Sequence, residues 1–308
     1  MIESNRSILS NLERRGDMRK ETKRKLFSCL LGTMFTLGCC FLFEAKTIPT
    51  QGAVDEGIPL PIIMYHNVRN EGNKELGDYV ITDQQLEKDL AFLKEKGYNA
   101  VVGQDLVDYV QGIKKLPEKP VFLTFDDGYE SFIATVYPLL QKYEMKAAVN
   151  IIGEYTDLYS QSVPKHLDYA HLNWSEVREL HSSPLVEIGN HTYDLHELKG
   201  KDGRKGANIK RGEAFEDYKK ILTDDVTKLQ EKMNEHLYQS ARVFAYPYGF
   251  YSDDSEKILR GLGFDVTLTC EEGINLITKD KECLYGLKRY NRPYRAETEM
   301  FFKNIGVE

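Results

Sequence analysis

The sequence predicts an α/β fold: a distorted (β/α) barrel of parallel strands, preceded by one N-terminal membrane helix. Three observations lead there. From Ile58 onward, short apolar runs alternate with helical patterns at least six times, and repeated β-then-α units imply parallel strands with helical crossovers. The alternating part runs to roughly 250 residues, the usual size of such a barrel. Polar residues also gather just past the ends of several apolar runs, where a parallel barrel collects its functional groups. An open doubly wound sheet is the alternative, and periodicity alone does not exclude it.

Ile62–Tyr65 opens the series. Thr82–Gly97 reads as a helix, with Thr82 as its cap, Gln85 at the capping-box position, Leu86, Leu90 and Leu93 on one face, and Gly97 at its end. A strand near Asn99–Val102, a helix near Asp105–Gln111 and the strand Val121–Phe125 follow. The alternation continues through helix Ser131–Tyr143, strand Ala147–Ile152, helix Ser175–His181 and strand Val186–Gly189. The long helix Glu213–Leu237 leads into strand Val243–Tyr246. Helix Asp254–Gly261, strands Asp265–Thr269 and Leu284–Arg289, and a helix near Glu297–Asn304 complete the chain.

The chain has 308 residues, of which 41% are hydrophobic and 29% charged, with no repeat or low-complexity run. Its net charge of −7 argues against a nucleic-acid partner. The charge is uneven. Residues 1–25 carry eight Lys/Arg against four acids, so this tail is +4 and the remainder −11. Leu26–Phe43 then holds no charge over 18 residues, which as a helix would span roughly 27 Å of a ~30 Å hydrocarbon core. A basic flank before such a run predicts a transmembrane signal-anchor at 26–43, with the tail cytoplasmic and residues 59–308 exported behind a linker at 44–58. The expected location is therefore the cell membrane, single-pass, with the catalytic domain outside the cytoplasm. A cleaved signal peptide is the competing reading, although no convincing A-x-A site is present; a lipoprotein anchored near Cys39 and Cys40 is a weaker one. Beyond the anchor only Cys270 and Cys283 remain, either paired or as free thiols.

Four predicted strand ends carry polar residues: His66, Asp126-Asp127-Gly128, Asn190-His191 running on to His196, and Pro247-Tyr248-Gly249. Adjacent carboxylates past an apolar strand repel unless a cation or proton offsets them. Taken alone, Asp-Asp-Gly is a common turn sequence. Two imidazoles five residues apart can share one metal with a carboxylate if the loop curls back, and the set suits zinc or a similar first-row ion. Alone, two histidines in six residues more often mark a polar loop.

Together, Thr124–Gly128 (TFDDG) and the downstream His191-Thr192…His196 resemble the polysaccharide deacetylases of carbohydrate esterase family 4, from about Pro59 to Arg295. The resemblance implies that Asp126 is the general base and that Asp127, His191 and His196 hold a divalent metal, most readily Zn2+, with Co2+ or Ni2+ as alternatives. It implies that the Tyr248 backbone N–H helps bind the oxyanion.

The five-residue histidine gap looks like the branch acting on poly-N-acetylglucosamine exopolysaccharides and its Gram-positive relatives. Two features depart from many members. The arginine that precedes the Pro-rich turn is replaced, since Phe244–Gly249 (FAYPYG) has Ala245 and Tyr246 there. The C-terminal Leu-x-His appears as Leu287-Lys288-Arg289, and arginine does not donate protons at neutral pH. Arg289 reads as a substrate contact or a holder of a carboxylate, not as a catalyst. The missing acid falls to His66 in Met64-Tyr65-His66, whose ordinary pKa near 6.5 suits proton donation.

Trp174, Tyr193, Tyr246 and Pro247 are candidate sugar contacts, with packing against helices as the plainer explanation for the aromatic ones. Asn190 and Thr192 are candidates for orienting the metal ligands. His166, His171, His181 and His236 lack a motif and read as loop or surface histidines. The expected activity is removal of N-acetyl groups from an N-acetylglucosamine-containing extracellular or cell-wall polysaccharide. An O-acetyl esterase on another glycan such as xylan, or an inactive glycan-binding protein, are the alternatives.

Overall fold

The computed structural model describes residues 57–70, 76–161, 163–200 and 203–308. The basic tail, the apolar run Leu26–Phe43 and nearly all of the linker lie outside the described residues. Among those described, no helix is long and apolar enough to cross a membrane.

In chain order the elements are β1 (Ile58–Leu60), β2 (Ile62–Tyr65), β3 (Asn67–Arg69), β4 (Val80–Thr82), α1 (Asp83–Glu95), β5 (Asn99–Val101), α2 (Gly103–Val110) and β6 (Pro120–Phe125). A π-turn at Phe132–Val136 leads into α3 (Tyr137–Tyr143). Then come β7 (Ala147–Ile151), α4 (Gly153–Tyr159), α5 (Trp174–His181), β8 (Val186–Asn190), α6 (Phe215–Leu237) and β9 (Val243–Ala245). The chain ends with α7 (Asp253–Gly261), β10 (Val266–Leu268), β11 (Asn275–Ile277), β12 (Tyr290–Asn291) and α8 (Thr298–Asn304).

The main sheet runs β10-β9-β8-β7-β6-β2-β12, with β5 beside the start of β6, and every pairing in it is parallel. Strands β2, β6 and β7 are buried at every position, as expected where a parallel sheet is covered on both faces. At one edge Leu287 bridges Leu268 of β10; at the other Tyr290 and Asn291 pair with Ile63 and Met64. One short segment, Leu287–Asn291, therefore touches both edges of the sheet, and the arrangement fits the α/β barrel predicted from the alternation.

The strands sort their residues by parity, because successive side chains point to opposite faces. Ile62, Phe122, Ala148, Val243, Ala245, Val266 and Leu268 pack together in one inner cluster, closed at its base by α2 residues Leu106 and Val107. Ile63, Tyr65, Leu123, Phe125, Val149, Ile151, Ile188, Phe244 and Tyr246 belong to a second cluster under the surrounding helices. Counting on by two from the inner set gives Met64 and His66, Thr124 and Asp126, Asn150 and Ile152, and Cys270. On β8 the same inner line runs Glu187, Gly189, His191.

Most predicted elements occur within a few residues of their expected bounds. Thr82 caps α1 by accepting from the Gln85 N–H at 3.1 Å. The Gln85 side chain does not close a capping box; it donates to the Pro293 and Ala296 carbonyls instead. The strand expected over Leu284–Arg289 is corrected: a 3-10 turn covers Lys281–Leu284 and the ladder begins only at Tyr290. Gly286, at φ 66°, breaks the extended path between them. Helix α4 and the short strands β1, β3, β4 and β11 were not anticipated, being too short to show a period.

Candidate active site

Three loops leave the strand ends through left-handed residues that are not glycine: Asp127 (φ 71°), Thr192 (φ 72°) and Tyr248 (φ 58°). Such residues cost about 1–3 kcal/mol each and persist where their surroundings hold them. The holding contacts are present. Asn190 Oδ1 accepts from the Thr192 N–H at 2.9 Å, and Asp225 of α6 accepts from both the Tyr193 and Asp194 N–H groups at 2.8 Å. Gly249 follows Tyr248 because a Cβ there would stand 2.6 Å from the Cys270 Cβ.

These turns bring His66, Asp126, Asp127, His191, His196 and Tyr248 to the wall of one cavity of about 740 Å³. The ligating atoms of Asp127, His191 and His196 lie within 4.8 Å of one another. His196 Nε2 is 3.2 Å and His191 Nε2 3.5 Å from Asp127 Oδ1. That oxygen is buried with no hydrogen-bond partner, an arrangement that a cation would satisfy. His191 Nδ1 lies 2.7 Å from the Ala245 carbonyl, which accepts its proton and leaves the Nε2 lone pair facing Asp127, as in a metal-ligating histidine. One carboxylate and two imidazoles with room for water fit a divalent first-row ion.

Asp126 is gripped instead. Arg289 donates to Oδ1 and Oδ2 at 2.8 Å each, and Asn150 Nδ2 donates to Oδ1 at 2.7 Å. The pair is deeply buried, with side-chain exposures of 0% and 2%. Arg289 is itself fixed by donating Nε–H to the Thr269 carbonyl at 2.7 Å and Nη1–H to Thr124 Oγ1 at 3.2 Å. Burial pushes the Asp126 carboxyl up, but Arg289, with His191 and His66 nearby, outweighs it and holds the group well below the usual carboxylate range. Oδ1 takes two donors and Oδ2 one, so Oδ2 keeps the open lone pairs. Arg289 thus fills the place of the arginine that Ala245 and Tyr246 leave empty. Of the two readings of Arg289 from sequence, the holder of a carboxylate is the one seen, and its 163-residue separation from Asp126 is why local reading left the partner open.

His66 sits edge-on to Tyr79, with ring centroids 4.8 Å apart, and its Nδ1 is buried without a partner. Burial lowers its pKa, while Asp127 and Asp126 pull it back up. The Tyr248 ring stacks on His196 at 4.8 Å.

The candidate sugar contacts do not reach the cavity wall. Trp174 is 4% exposed, stacks on His236 at 4.4 Å and donates Nε1–H to Asp157 at 2.7 Å. The Tyr193 hydroxyl donates to the same Asp157 at 2.9 Å, and Lys228 covers its ring. Tyr246 points to the outer face by strand parity, where its hydroxyl meets Glu256 at 2.9 Å. Pro247 is buried beneath the turn. The wall is built by other aromatic residues, Tyr79, Tyr129, Tyr155 and Phe250, together with His171. His171 is thereby corrected from a loop or surface histidine to a buried wall residue. Asn150, a lone polar residue in the apolar run Ala147–Ile151, did carry a readable signal. Cys270 and Cys283 are both free thiols.

A family model described as polysaccharide deacetylase matches residues 113–267. The chain belongs to the polysaccharide deacetylase family. It is 30% identical over 228 residues to a poly-beta-1,6-N-acetyl-D-glucosamine N-deacetylase of Escherichia coli strain K12, covering 69% of this chain and 34% of that one. The same-named protein of Staphylococcus epidermidis is 25% identical over 223 residues, covering 68% and 71% of the two chains. The chain thus spans about a third of the Escherichia coli relative. Among solved structures, a de-N-acetylase from Aggregatibacter actinomycetemcomitans superposes with a TM-score of 0.69 at 25% identity, covering 80% of this chain and 100% of that one. IcaB from Ammonifex degensii, at 24% identity with a TM-score of 0.63 over 82% and 97% of the chains, shares the fold.

Proposed function

We propose that this protein is a metal-dependent N-deacetylase of a poly-N-acetylglucosamine-type polysaccharide, held at the cell membrane by residues 26–43 and acting outside the cytoplasm. One observation carries the reading: an arginine-gripped carboxylate, Asp126, stands beside the Asp127, His191 and His196 donor set on the wall of a single cavity. The relatives named as acting on poly-beta-1,6-N-acetyl-D-glucosamine support the substrate class, and the basic flank and apolar run support the location.

Asp127, His191 and His196 would hold the ion, which when bound supplies a Lewis acid and an acidified water, with zinc the best chemical match. Asp126, ionised and oriented by Arg289 and Asn150, receives a proton at Oδ2. The Tyr248 N–H, presented at a left-handed residue, donates to the oxygen that gains charge as the acetamide carbonyl becomes tetrahedral, an interaction worth roughly 3–4 kcal/mol. His66 must collect a proton before passing it to the departing amine, because burial favours its neutral form. Products are acetate and a glucosamine unit.

The test uses the full-length chain in detergent, loaded with zinc or cobalt, and measures acetate release from β-1,6-linked N-acetylglucosamine oligomers and from peptidoglycan. Release from the oligomers is expected. Undiminished activity in Asp127→Ala/His196→Ala would sink the metal reading, and an unchanged turnover rate in His66→Ala the proton-donor role. Protease added to intact cells should remove the catalytic domain if it lies outside.

A further inference from the structure

His191 and His196 stand five residues apart, and no regular backbone brings such a pair together. On a strand they would face opposite sides, and on a helix they would lie about 140° apart. The loop between them is therefore shaped from outside, and its backbone groups show how. The Thr192 N–H donates to Asn190 Oδ1 at 2.9 Å. The Thr192 and Tyr193 carbonyls accept from the Gly153 and Glu154 N–H groups at the start of α4, at 3.1 and 2.9 Å. A Cβ on Gly153 would stand 2.5 Å from Tyr193 Cδ2, so α4 lies directly against the loop. The Tyr193 and Asp194 N–H groups both donate to Asp225, one to each carboxylate oxygen, at 2.8 Å.

Asp225 projects from a firm platform. Helix α6 is 23 residues long and buries Tyr218, Leu222, Val226, Leu229 and Met233. The Asn190 side chain donates Nδ2–H to the Val226 carbonyl at 3.4 Å. The strand end that carries His191 and the loop that carries His196 are thus both referred to the same turn of α6. A carboxylate can accept from two successive N–H groups at once, whereas an amide has a single oxygen to offer. The placement is electrostatically costly. Burial, with the like charge of Asp194 beside it, pushes the Asp225 carboxyl up to about 6 against the pull of the two N–H groups.

We propose that Asp225 is a positioning residue for metal capture: by fixing the Tyr193–Asp194 backbone to α6, it carries His196 back to His191 and Asp127. The inference rests on the metal reading of that donor set. Asp225 does not line the cavity, so its loss acts on metal affinity first and on rate only through occupancy of the site.

The test is zinc affinity of the full-length protein in detergent, measured by competition with a chromophoric chelator at pH 8, where Asp225 is ionised. Asp225→Asn keeps the shape but offers one oxygen to two N–H groups. Its zinc affinity should fall about 10–100-fold, the usual cost of losing a group that orients a metal ligand. Asp225→Ala, which leaves both N–H groups to water, should lose at least as much. In both variants KM for N-acetylglucosamine oligomers should stay unchanged, and kcat should return to the wild-type value as zinc is raised to saturation. Asp157→Asn is the comparison. Asp157 accepts from the Tyr193 hydroxyl and the Trp174 Nε1–H at 2.9 and 2.7 Å, so this change loosens packing on the same loop without touching its backbone, and zinc affinity should stay at the wild-type value. Unchanged affinity in the Asp225 variants, an equal loss in Asp157→Asn, or a kcat that zinc does not restore overturns the positioning role and leaves the metal reading standing. No zinc binding by the wild type overturns both.

Discussion

Two buried arginine–aspartate pairs have arginines three residues apart in the sequence, and they serve different ends. Arg289 grips Asp126 and Arg292 grips Asp89, each through two bonds of 2.8 Å. Arg292 and Asp89 are both 0% exposed and share the site with the hydroxyls of Thr298 and Tyr65. That second pair joins α1 to the start of α8 and does not line the cavity that Asp126 lines. The first opens onto the cavity through Asp126. Burial dominates at Asp89 and holds its pKa up, whereas at Asp126 Arg289, with His191 and His66 nearby, outweighs burial and holds it down. A two-bond arginine grip thus gives structural cement in one place and a ready carboxylate in the other. Parity is the reason: Asp126 continues the inner line of β6, while Asp89 lies on the buried face of α1.

The largest expected effect tests this division. Arg289→Met should lower kcat by at least about 100-fold, since misplacing a catalytic group by 1 Å costs that much. Arg292→Met should leave the kcat of the folded protein within about twofold of wild type. Loss of activity in the second variant, or its retention in the first, breaks the comparison. Stability should not separate the two pairs. Removing either arginine strands a buried carboxylate at about 3–5 kcal/mol, readable in urea unfolding.

A smaller effect sharpens the role of the fork. Arg289→Lys keeps the charge but cannot donate to both oxygens in one plane, so kcat should fall by about 10–100-fold with most stability retained. Full activity in that variant would show that charge alone holds Asp126.

The smallest effect concerns a third carboxylate, without an arginine fork. Glu187 lies on the inner line of β8 and accepts from the Gly103 and Gln104 N–H groups at 2.6 and 3.0 Å. Burial pushes its pKa from 4.5 to about 7. The folded state therefore binds this proton more tightly than the unfolded chain, and stability falls as pH rises from about 4.5 through about 7. Across pH 5 to 8 the wild type should lose on the order of 1–3 kcal/mol relative to Glu187→Gln. A pH-independent difference would remove Glu187 from the comparison.

That Asp126, Asp127, His191 and His196 belong to one candidate site was legible because the motif is local: a strand end and the first residues after it are read in one stretch. The alternation of runs likewise announced a parallel sheet, whose strands β2, β6 and β7 are mostly apolar and buried at every position. The aromatic residues placed near those motifs were left between sugar contact and packing for want of parity. Tyr246 is one position off the inner line, and Trp174 begins a helix on the outer face. Period 2 counted along each strand would have excluded Tyr246 and selected Asn150.

By itself, then, the sequence determined the strand order of chemistry: which turns carry carboxylate, imidazole and the Pro247-Tyr248-Gly249 segment. Only the tertiary structure decided what holds them. Arg289 reaches Asp126 because Leu287–Asn291 touches both edges of the sheet, and His171 reaches the cavity because its segment is bonded to the Gly128 turn. Both contacts link residues far apart in the chain, so their pairing depends on the tertiary fold and on no local pattern.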